Sequence, residues 1–275
     1  MELDTNTLTN TLRTAIRDYV IGQYPAFRSA PSMSLAASQD APDGVMQDEP
    51  IAADSDSAAV VNDGIISFVK GMSAQNRSDV EKLYLHASLV ANKKFPNLDQ
   101  GEERHGLFCK VLQDTGWLIT DTSYRRLEKT DSSFTMDHVA LDIIESAISS
   151  ATLPVSNTLK LLQIAKGSVA ALKENQAPLG LFQSSTVKPE GGNFSVGACL
   201  ETDEGEIVMV LGSIYFMSTI TTTDVLFTHW NSTDVKVFFG STLLRLNTEL
   251  AELGRDALAY KLRDHVADSI AKYEI

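Results

Sequence analysis

Cysteine is scarce in this chain, which has two among its 275 residues, Cys109 and Cys199. Two cysteines allow one disulfide at most, so the chain is not a small scaffold held together by disulfides. We expect both thiols to be free, because disulfides are rare in the cytoplasmic compartment that the rest of the sequence indicates.

Long apolar runs are also missing. No run reaches the roughly 18 to 20 residues that a membrane-spanning helix needs, and the longest candidate, residues 207–220, is broken by Gly212 and Ser213. Residues 1–10 are polar and acidic, without the basic and apolar regions of a secretory signal peptide. We therefore expect cytoplasmic synthesis without a signal peptide or transmembrane helix, and export by another route or peripheral membrane contact stays open.

Positive charge is in deficit, since the chain carries a formal net charge of −13. Nucleic acid is not an expected partner, because binding its phosphates requires clustered Lys and Arg. The same deficit disfavours simple electrostatic attraction to anionic lipid. Any contact with membrane lipid would have to come from buried apolar surface or from a covalently attached lipid.

The common catalytic motifs are absent: there is no Gly-rich phosphate loop, G-x-S-x-G, H-E-x-x-H or Cys-x-x-Cys. No metal or nucleotide is therefore expected. His105 and Cys109 are four residues apart on a predicted helix and share a face. Zinc sites usually need three or four protein ligands, so a core cysteine beside a histidine is the simpler interpretation.

The chain divides into three predicted parts. Residues 1–25 are expected to form an N-terminal amphipathic helix, and residues 26–60 an acidic, Pro-rich flexible arm, because Lys and Arg are absent from residues 29–69 while Asp accumulates. The arm is either a solvated spacer or a protease-sensitive activation segment. Residues 61–275 are expected to form an α/β domain.

Within that domain, helical patterns dominate residues 64–174, and residues 118–127 are ambiguous. Short loops between consecutive predicted strands favour an antiparallel sheet, and the strand at residues 206–217 is apolar on both faces, which is typical of a sheet covered on both sides. The predicted fold class is therefore α/β, a single-domain helix–sheet–helix sandwich with a central antiparallel sheet. The predicted strands are residues 181–187, 192–201, 206–217, 222–230 and 235–239, followed by a long helix capped by Ser241 or Thr242.

A strip of small side chains surrounds Cys199 in the predicted strand 192–201. If residues 202–205 close a hairpin, Cys199 lies opposite the following strand among residues too small to fill a close-packed interior. Either a helix or a hydrocarbon chain bonded to the sulfur could occupy that space. The predicted pairs are Cys199 with Val208, Gly197 with Val210 and Ser195 with Gly212. The predicted lipid-binding residues are the members of these pairs other than Cys199, namely Ser195, Gly197, Val208, Val210 and Gly212.

Cys199 has two functional interpretations beside that of a small buried hydrophobic residue. As a nucleophile it requires a base, and His229 is the nearest candidate in the strand region. Apolar surroundings disfavour the thiolate, so activation would have to come from elsewhere in the fold. As an attachment point, Cys199 requires only one acylation event and a cavity.

The order of the predicted helices and strands resembles that of a known protein family. A helical N-terminal half, apolar strands containing E-I-V-M-V-L-G-S-I-Y-F-M and V-F-F, and a long closing helix are similar to the Cyt-type α/β fold of insecticidal Cyt toxins, volvatoxin and the Erwinia virulence factor Evf. The segment V-G-A-C-L at residues 196–200 resembles the region of the acylated cysteine in the Evf-like family. The resemblance implies a Cyt-like fold and a palmitoyl-type thioester on Cys199.

Three functions follow as expectations. The first is a lipid-binding, virulence-type protein that carries a buried long-chain acyl thioester on Cys199. The alternative is a cysteine-dependent acyltransferase in which the Cys199 thioester is an intermediate, and the second alternative is a Cyt-like membrane-lytic toxin. The first two require a fatty acyl donor, either acyl-CoA or an acyl-carrier protein.

Overall fold

The computed structural model describes residues 32–34, 55–128, 133–151, 153–220, 222 and 224–270. The amphipathic helix predicted for residues 1–25, and most of the predicted arm, lie outside the described residues. Residues 57–60 were predicted to belong to that arm, but they are part of a buried strand.

The described residues form one mixed sheet with helices on both of its faces. The strands are β1 (Ser32–Ser34), β2 (Ser57–Val61), β3 (Gly64–Phe68), β4 (Trp117–Arg126), β5 (Val187–Lys188), β6 (Gly191–Glu201), β7 (Ile207–Ser218) and β8 (Val235–Leu246). The helices are α1 (Ala74–Lys94), α2 (Gly101–Asp114), α3 (Met136–Ser150), α4 (Val155–Glu174), α5 (Gln176–Thr186) and α6 (Thr248–Ile270).

The strands follow the order β1-β2-β3-β6-β7-β8-β4, and β5 pairs with β6 beside this path. The pairing of β3 with β6 is parallel, with Gly64 opposite Ser195 and Phe68 opposite Cys199, whereas the β6–β7, β7–β8 and β4–β8 pairs are antiparallel. A parallel pair needs a long crossover. Here the crossover contains five helices, which supply most of the cover for the sheet.

Two apolar clusters lie on opposite faces of the sheet. One packs the sheet against α3, α4 and α5, and the other packs it against α1, α2 and α6. The side chains of β7 alternate between them, with Val208 and Val210 in the first cluster and Met209 and Leu211 in the second. The predicted helix–sheet–helix sandwich is therefore confirmed, as is the two-sided burial of this strand.

Several predicted elements were wrong. Residues 64–68 form strand β3 rather than helix, and residues 181–186 belong to helix α5, where Phe182 packs edge-on against Phe194 at 5.6 Å between ring centroids. Residues 224–230 form turns with one isolated bridge between Trp230 and Phe134, not a strand. The ambiguous residues 118–127 lie almost entirely in strand β4.

The start of the last helix was also predicted too early. Ser241 and Thr242 lie inside β8, where Thr242 pairs with Leu211. The helix begins at Thr248, and the Asn247 side chain caps it by accepting a hydrogen bond from the Leu250 N–H at 3.0 Å. Within the described residues, no helix is both long and apolar enough to cross a bilayer.

Candidate functional site

The β6–β7 hairpin positions Cys199, and its register differs by one residue from the prediction. Cys199 lies opposite Met209, Gly197 opposite Leu211 and Ser195 opposite Ser213. Because side chains alternate between the two faces of a strand, a shift of one residue moves the whole partner set to the other face.

The predicted lipid-binding residues are consequently divided between the two faces of the sheet. Ser195 and Gly197 are four and two residues before Cys199 on β6, so they share its face of the sheet. Val208 and Val210 belong to the cluster on the opposite face, and a Cβ on Gly212 would contact Ile143 of α3, also on that face. The prediction that these three β7 residues line the Cys199 strip was therefore wrong.

Cys199 is completely buried, with 0% of its surface exposed. Its cluster contains Phe68, which is its partner on β3, and Met209, which is its partner on β7. The Cys199 carbonyl accepts a hydrogen bond from Val69 N–H at 2.9 Å. The thiol therefore lies at the centre of the sheet, beneath the layer formed by α1, α2 and α6.

Large neighbours fill the small-residue strip beside Cys199. A Cβ added to Gly197 would lie 3.0 Å from Ile66 Cδ1 and 3.0 Å from Leu211 Cδ1. The hydroxyl groups of Ser195 and Ser213 are hydrogen-bonded to each other at 2.9 Å. In this conformation the side chains of the sheet itself occupy the space next to Gly197.

The electrostatic surroundings keep the Cys199 thiol protonated. Burial raises its pKa well above the ordinary value, and the negative charge of Glu81 on α1 raises the pKa further. Burial also raises the pKa of Glu81 to about 7. A thiol in these surroundings is a weak nucleophile, because the thiolate is the reactive form.

His229 is not brought to Cys199. Its side chain is exposed, and its neighbours Val225, Leu226 and Trp230 pack into the cluster on the face opposite Cys199. The predicted pair of a nucleophile and its base is therefore not assembled in this conformation.

His105 and Cys109 do meet, as their spacing predicts. Cys109 Sγ lies 3.7 Å from His105 Nε2, and it is also within 4.0 Å of hydroxyl groups on Thr122 and Thr242. Burial lowers the pKa of His105 to about 4 and raises the pKa of Cys109. The pair is thus a neutral imidazole beside a protonated thiol. Among the described residues, no group of three or more His, Cys, Asp or Glu could hold a metal ion.

A buried polar network was missed in the sequence. Asp63 is 4% exposed, and its carboxylate accepts hydrogen bonds from Tyr84 at 3.1 Å, Ser88 at 2.7 Å, Asn92 at 2.9 Å and Asn193 at 2.6 Å. The network ties α1 to the start of the parallel β3–β6 pair. The sequence feature that could have indicated it is the run Asn62-Asp63-Gly64, whose composition is typical of a two-residue hairpin loop. Such a loop would have placed Asp63 at a turn between two strands.

Arg104 of α2 extends this network. Its guanidinium donates to Asn193 Oδ1 at 2.6 Å and to the carbonyls of Phe95 at 2.8 Å and Asn97 at 2.6 Å. A cavity of about 10 Å³ lies between these groups and Tyr215, which is room for about one water molecule. The paired donors and acceptors indicate that the network fixes α1 and α2 on the sheet.

A second, larger cavity of about 280 Å³ does not reach Cys199. Its lining includes Phe134, Val235 and Val237, which belong to the cluster on the opposite face of the sheet. Apart from Leu127, the rest of its lining is polar or charged, with Arg126 and Lys236 among the residues. It is therefore not the space predicted for an acyl chain on Cys199.

Comparisons with known proteins found structural likeness only. No family model matches the chain, and no curated protein matches it either. A delta-endotoxin structure is similar with a TM-score of 0.40 and 7% identity, over 77% of this chain and 90% of that one. The activated Cyt2Ba monomer from Bacillus thuringiensis subsp. israelensis has a TM-score of 0.32 and 7% identity, over 60% and 92% of the two chains. The Evf virulence factor has a TM-score of 0.28 and 12% identity, over 76% and 82%.

Proposed function

We propose that this chain is a lipid-binding, virulence-type protein that carries a long-chain acyl thioester on Cys199. The observation that supports the proposal is the complete burial of the thiol in an apolar cluster between the sheet and one helical layer. A hydrocarbon chain bonded to this sulfur would be shielded from water on all sides. The virulence-type role comes from the sequence resemblance around residues 196–200.

The free energy of burial favours such a chain as part of the core. Transfer of one CH₂ group out of water contributes about 0.8 kcal/mol, so a sheltered chain of about sixteen carbons would contribute on the order of 12 kcal/mol before strain and ordering costs. By contrast, a single exposed acyl chain anchors a protein to a membrane only marginally.

Acylation requires the helical layer to separate from the sheet. Ile66 and Leu211 now fill the space next to Gly197, and close-packed interiors do not accept extra volume without rearrangement. The acyl chain would therefore displace these side chains and lie between the sheet and the helices. Its donor, acyl-CoA or an acyl-carrier protein, would have to meet an opened form of the protein.

A stable thioester fits these surroundings better than turnover does. An acyltransferase needs a base near its nucleophile, whereas the predicted base His229 is exposed in a loop that packs on the other face of the sheet. The raised pKa of Cys199 also keeps the thiolate population small. The acyl group is therefore proposed as an end point.

Intact-mass spectrometry before and after neutral hydroxylamine tests the proposal. We expect an added mass of one long acyl chain, which hydroxylamine removes because it cleaves thioesters. The added mass should be absent from Cys199→Ser and present in Cys109→Ser, which is the matched control because it removes the other buried thiol. An unmodified wild-type chain, or an adduct that persists in Cys199→Ser, would refute the proposal.

A chase experiment distinguishes the stable thioester from the enzyme intermediate. The protein is loaded with a labelled acyl donor, and small amine and thiol acceptors are then added. Label that stays on Cys199 for hours supports the lipid-bearing role. Label that moves to an acceptor, in a reaction that Cys199→Ser abolishes, would replace it with an acyltransferase.

A further inference from the structure

The closed cluster around Cys199 raises the question of how a donor reaches the sulfur. The three helices over this face are α1, α2 and α6, and they are attached to the rest of the protein in different ways. The element that opens most readily should be the one that buries the least apolar surface and has the fewest bonds into the sheet.

Helices α1 and α2 are fixed directly to the sheet by buried polar groups. Three side chains of α1 donate hydrogen bonds to the Asp63 carboxylate, and Asn76 near its start donates to Glu201 of β6 at 2.9 Å. Arg104 of α2 donates to Asn193 of β6. Breaking these bonds would leave buried donors and acceptors unpaired, which is costly.

Helix α6 is held more loosely. Among its described side chains, Ala251 and Leu262 are the buried ones, while Leu253 is 81% exposed. Ala251 nevertheless belongs to the same apolar cluster as Cys199, and Leu258 packs against that cluster. Movement of α6 would therefore uncover part of this cluster, and α6 would lose little buried apolar surface of its own.

An ion pair connects α6 to α1. Arg255 of α6 donates to both carboxylate oxygens of Asp79, with Nε at 2.9 Å and 3.1 Å and a further contact from Nη2 at 2.7 Å. Asp79 is 4% exposed and also accepts a hydrogen bond from Gln75 at 2.9 Å. Two-pronged pairs of Arg with a buried carboxylate are much stronger than ordinary surface pairs.

The connection to β8 supplies a hinge. Strand β8 ends at Leu246 and α6 begins at Thr248, so Asn247 alone joins them. Its N–H donates to the carbonyl of Gly116 at 2.9 Å, and this bond fixes the pivot beside the start of β4. A rotation at Asn247 would move the rest of α6 away from α1.

We propose that α6 is a lid over the apolar cluster that contains Cys199, hinged at Asn247 and held shut by the Asp79–Arg255 ion pair. Opening of this lid admits the acyl donor to the sulfur, and closing it shelters the attached chain. The significance for acylation rests on the proposed function, whereas the opening itself is a property of the fold that can be measured on the free thiol.

Thiol labelling measures the opening. The full chain is first treated with neutral hydroxylamine, then reacted with N-ethylmaleimide, and the rates at Cys199 and Cys109 are read separately by peptide mass spectrometry. Cys109 is a buried residue of α2 itself and reports wider unfolding. In Arg255→Gln we expect the Cys199 rate to rise about tenfold or more, the change that a loss of about 1.4 kcal/mol produces, with little change at Cys109.

Two further variants serve as controls. Lys166→Gln removes an ion pair of α4 with Glu145 of α3, on the other side of the sheet, where both side chains are more than half exposed. It should leave both rates unchanged. Arg255→Lys keeps the charge but not the two-pronged geometry, so its Cys199 rate should lie between those of wild type and Arg255→Gln.

Two results would overturn the lid. One is a Cys199 rate in Arg255→Gln equal to that in Lys166→Gln. The other is a rise at Cys109 that matches the rise at Cys199, which would mean that the whole domain opens. Absence of an acyl adduct on the purified protein would refute the proposed function instead, and it leaves these labelling rates interpretable.

Discussion

Removal of the Asp63 carboxylate should be among the most destabilising single changes in this chain. The carboxylate accepts four hydrogen bonds between 2.6 Å and 3.1 Å in a site that is 4% exposed. A hydrogen bond to a charged group contributes about 1.5 to 3 kcal/mol, so four at the low end give about 6 kcal/mol. Water entering the space left behind offsets part of this, and we expect Asp63→Ala to lower the free energy of unfolding by about 4 kcal/mol.

Two milder variants give the expected order. Asp63→Asn keeps the shape of the side chain but places an amide donor among four donors, and we expect a loss of about 2 kcal/mol. Tyr84→Phe removes one donor and leaves the other three bonds in place, so the expected loss is about 1 kcal/mol. Urea unfolding followed by circular dichroism measures the free energy of unfolding of all three variants. A slope of this free energy against urea equal to that of wild type is the check on two-state behaviour.

The result bears on the site, because the Asp63 network fixes α1 on the face of the sheet that carries Cys199. Asp63→Ala should also raise the labelling rate of Cys199, since α1 loses three of its bonds. A loss below about 1 kcal/mol in Asp63→Ala would refute the reasoning. So would a Tyr84→Phe variant as unstable as Asp63→Ala, because the carboxylate would then not be the common acceptor.

Three further predictions concern packing, pH and the face of the acyl chain. A Cβ at Gly240 would overlap the His105 ring, so Gly240→Ala should cost about 2 kcal/mol in urea unfolding, whereas Gly106→Ala, where the added Cβ meets nothing within 4 Å, should be neutral or stabilising. The His105 pKa falls from 6.5 to about 4 on folding, so the unfolded chain takes up the proton first, and the stability of wild type relative to His105→Gln should fall by up to about 3 kcal/mol as the pH drops from 6.5 to 4. Glu81, whose pKa is raised to about 7, acts in the opposite direction in both proteins, and identical pH profiles for the two would contradict the His105 assignment. Leu211→Ala, beside Gly197 on the Cys199 face, should alter the distribution of acyl masses recovered from the protein, while Val210→Ala on the other face should leave it as in wild type; the reverse pattern would place the chain on the wrong face.

The sandwich was predictable because its signals are local. The alternation in residues 192–201 and the two-sided apolarity of residues 206–217 predict strands β6 and β7 within one or two residues of their bounds. A strand that is apolar on both faces requires cover on both sides, and the helical patterns on either side of the strand block are the available cover. The hydrophobic periodicity of these strands and the burial it implies therefore predict the layers of helix, sheet and helix.

The register was not predictable from the same signals, because one loop residue decides it. The connection is five residues, 202–206, closed by a hydrogen bond from Thr202 N–H to the Glu206 carbonyl at 2.8 Å. Gly205 adopts φ = +79°, the left-handed conformation of a three- to five-residue hairpin loop with a bulge. A four-residue turn places every β7 side chain on the wrong face, and the sequence around Gly205 permits both lengths.

The Asp63 network depends on contacts that are distant in sequence. Strand β3 has the sequence G-I-I-S-F, and a short apolar run of this kind does not distinguish a strand from a buried helix. Its parallel partner β6 lies about 130 residues further along the chain. Three of the four donors, Tyr84, Ser88 and Asn92, share one face of α1 at a spacing of four residues, and the fourth is Asn193 of β6. No spacing in the sequence connects either segment with Asp63.

The burial that would slow the proposed acylation of Cys199 would also protect its product. Cleavage of a thioester releases the thiolate, and a thiol with a raised pKa is a poor leaving group for the same reason that it is a poor nucleophile. In the closed conformation, solvent and acceptors are also excluded by the helical layer. An open form would thus be required for both formation and loss of the proposed bond, and an acyl chain that fills the cluster would stabilise the closed form by burying its own apolar surface. Acylation and closure would then reinforce each other, as expected of a structural lipid rather than of a reaction intermediate.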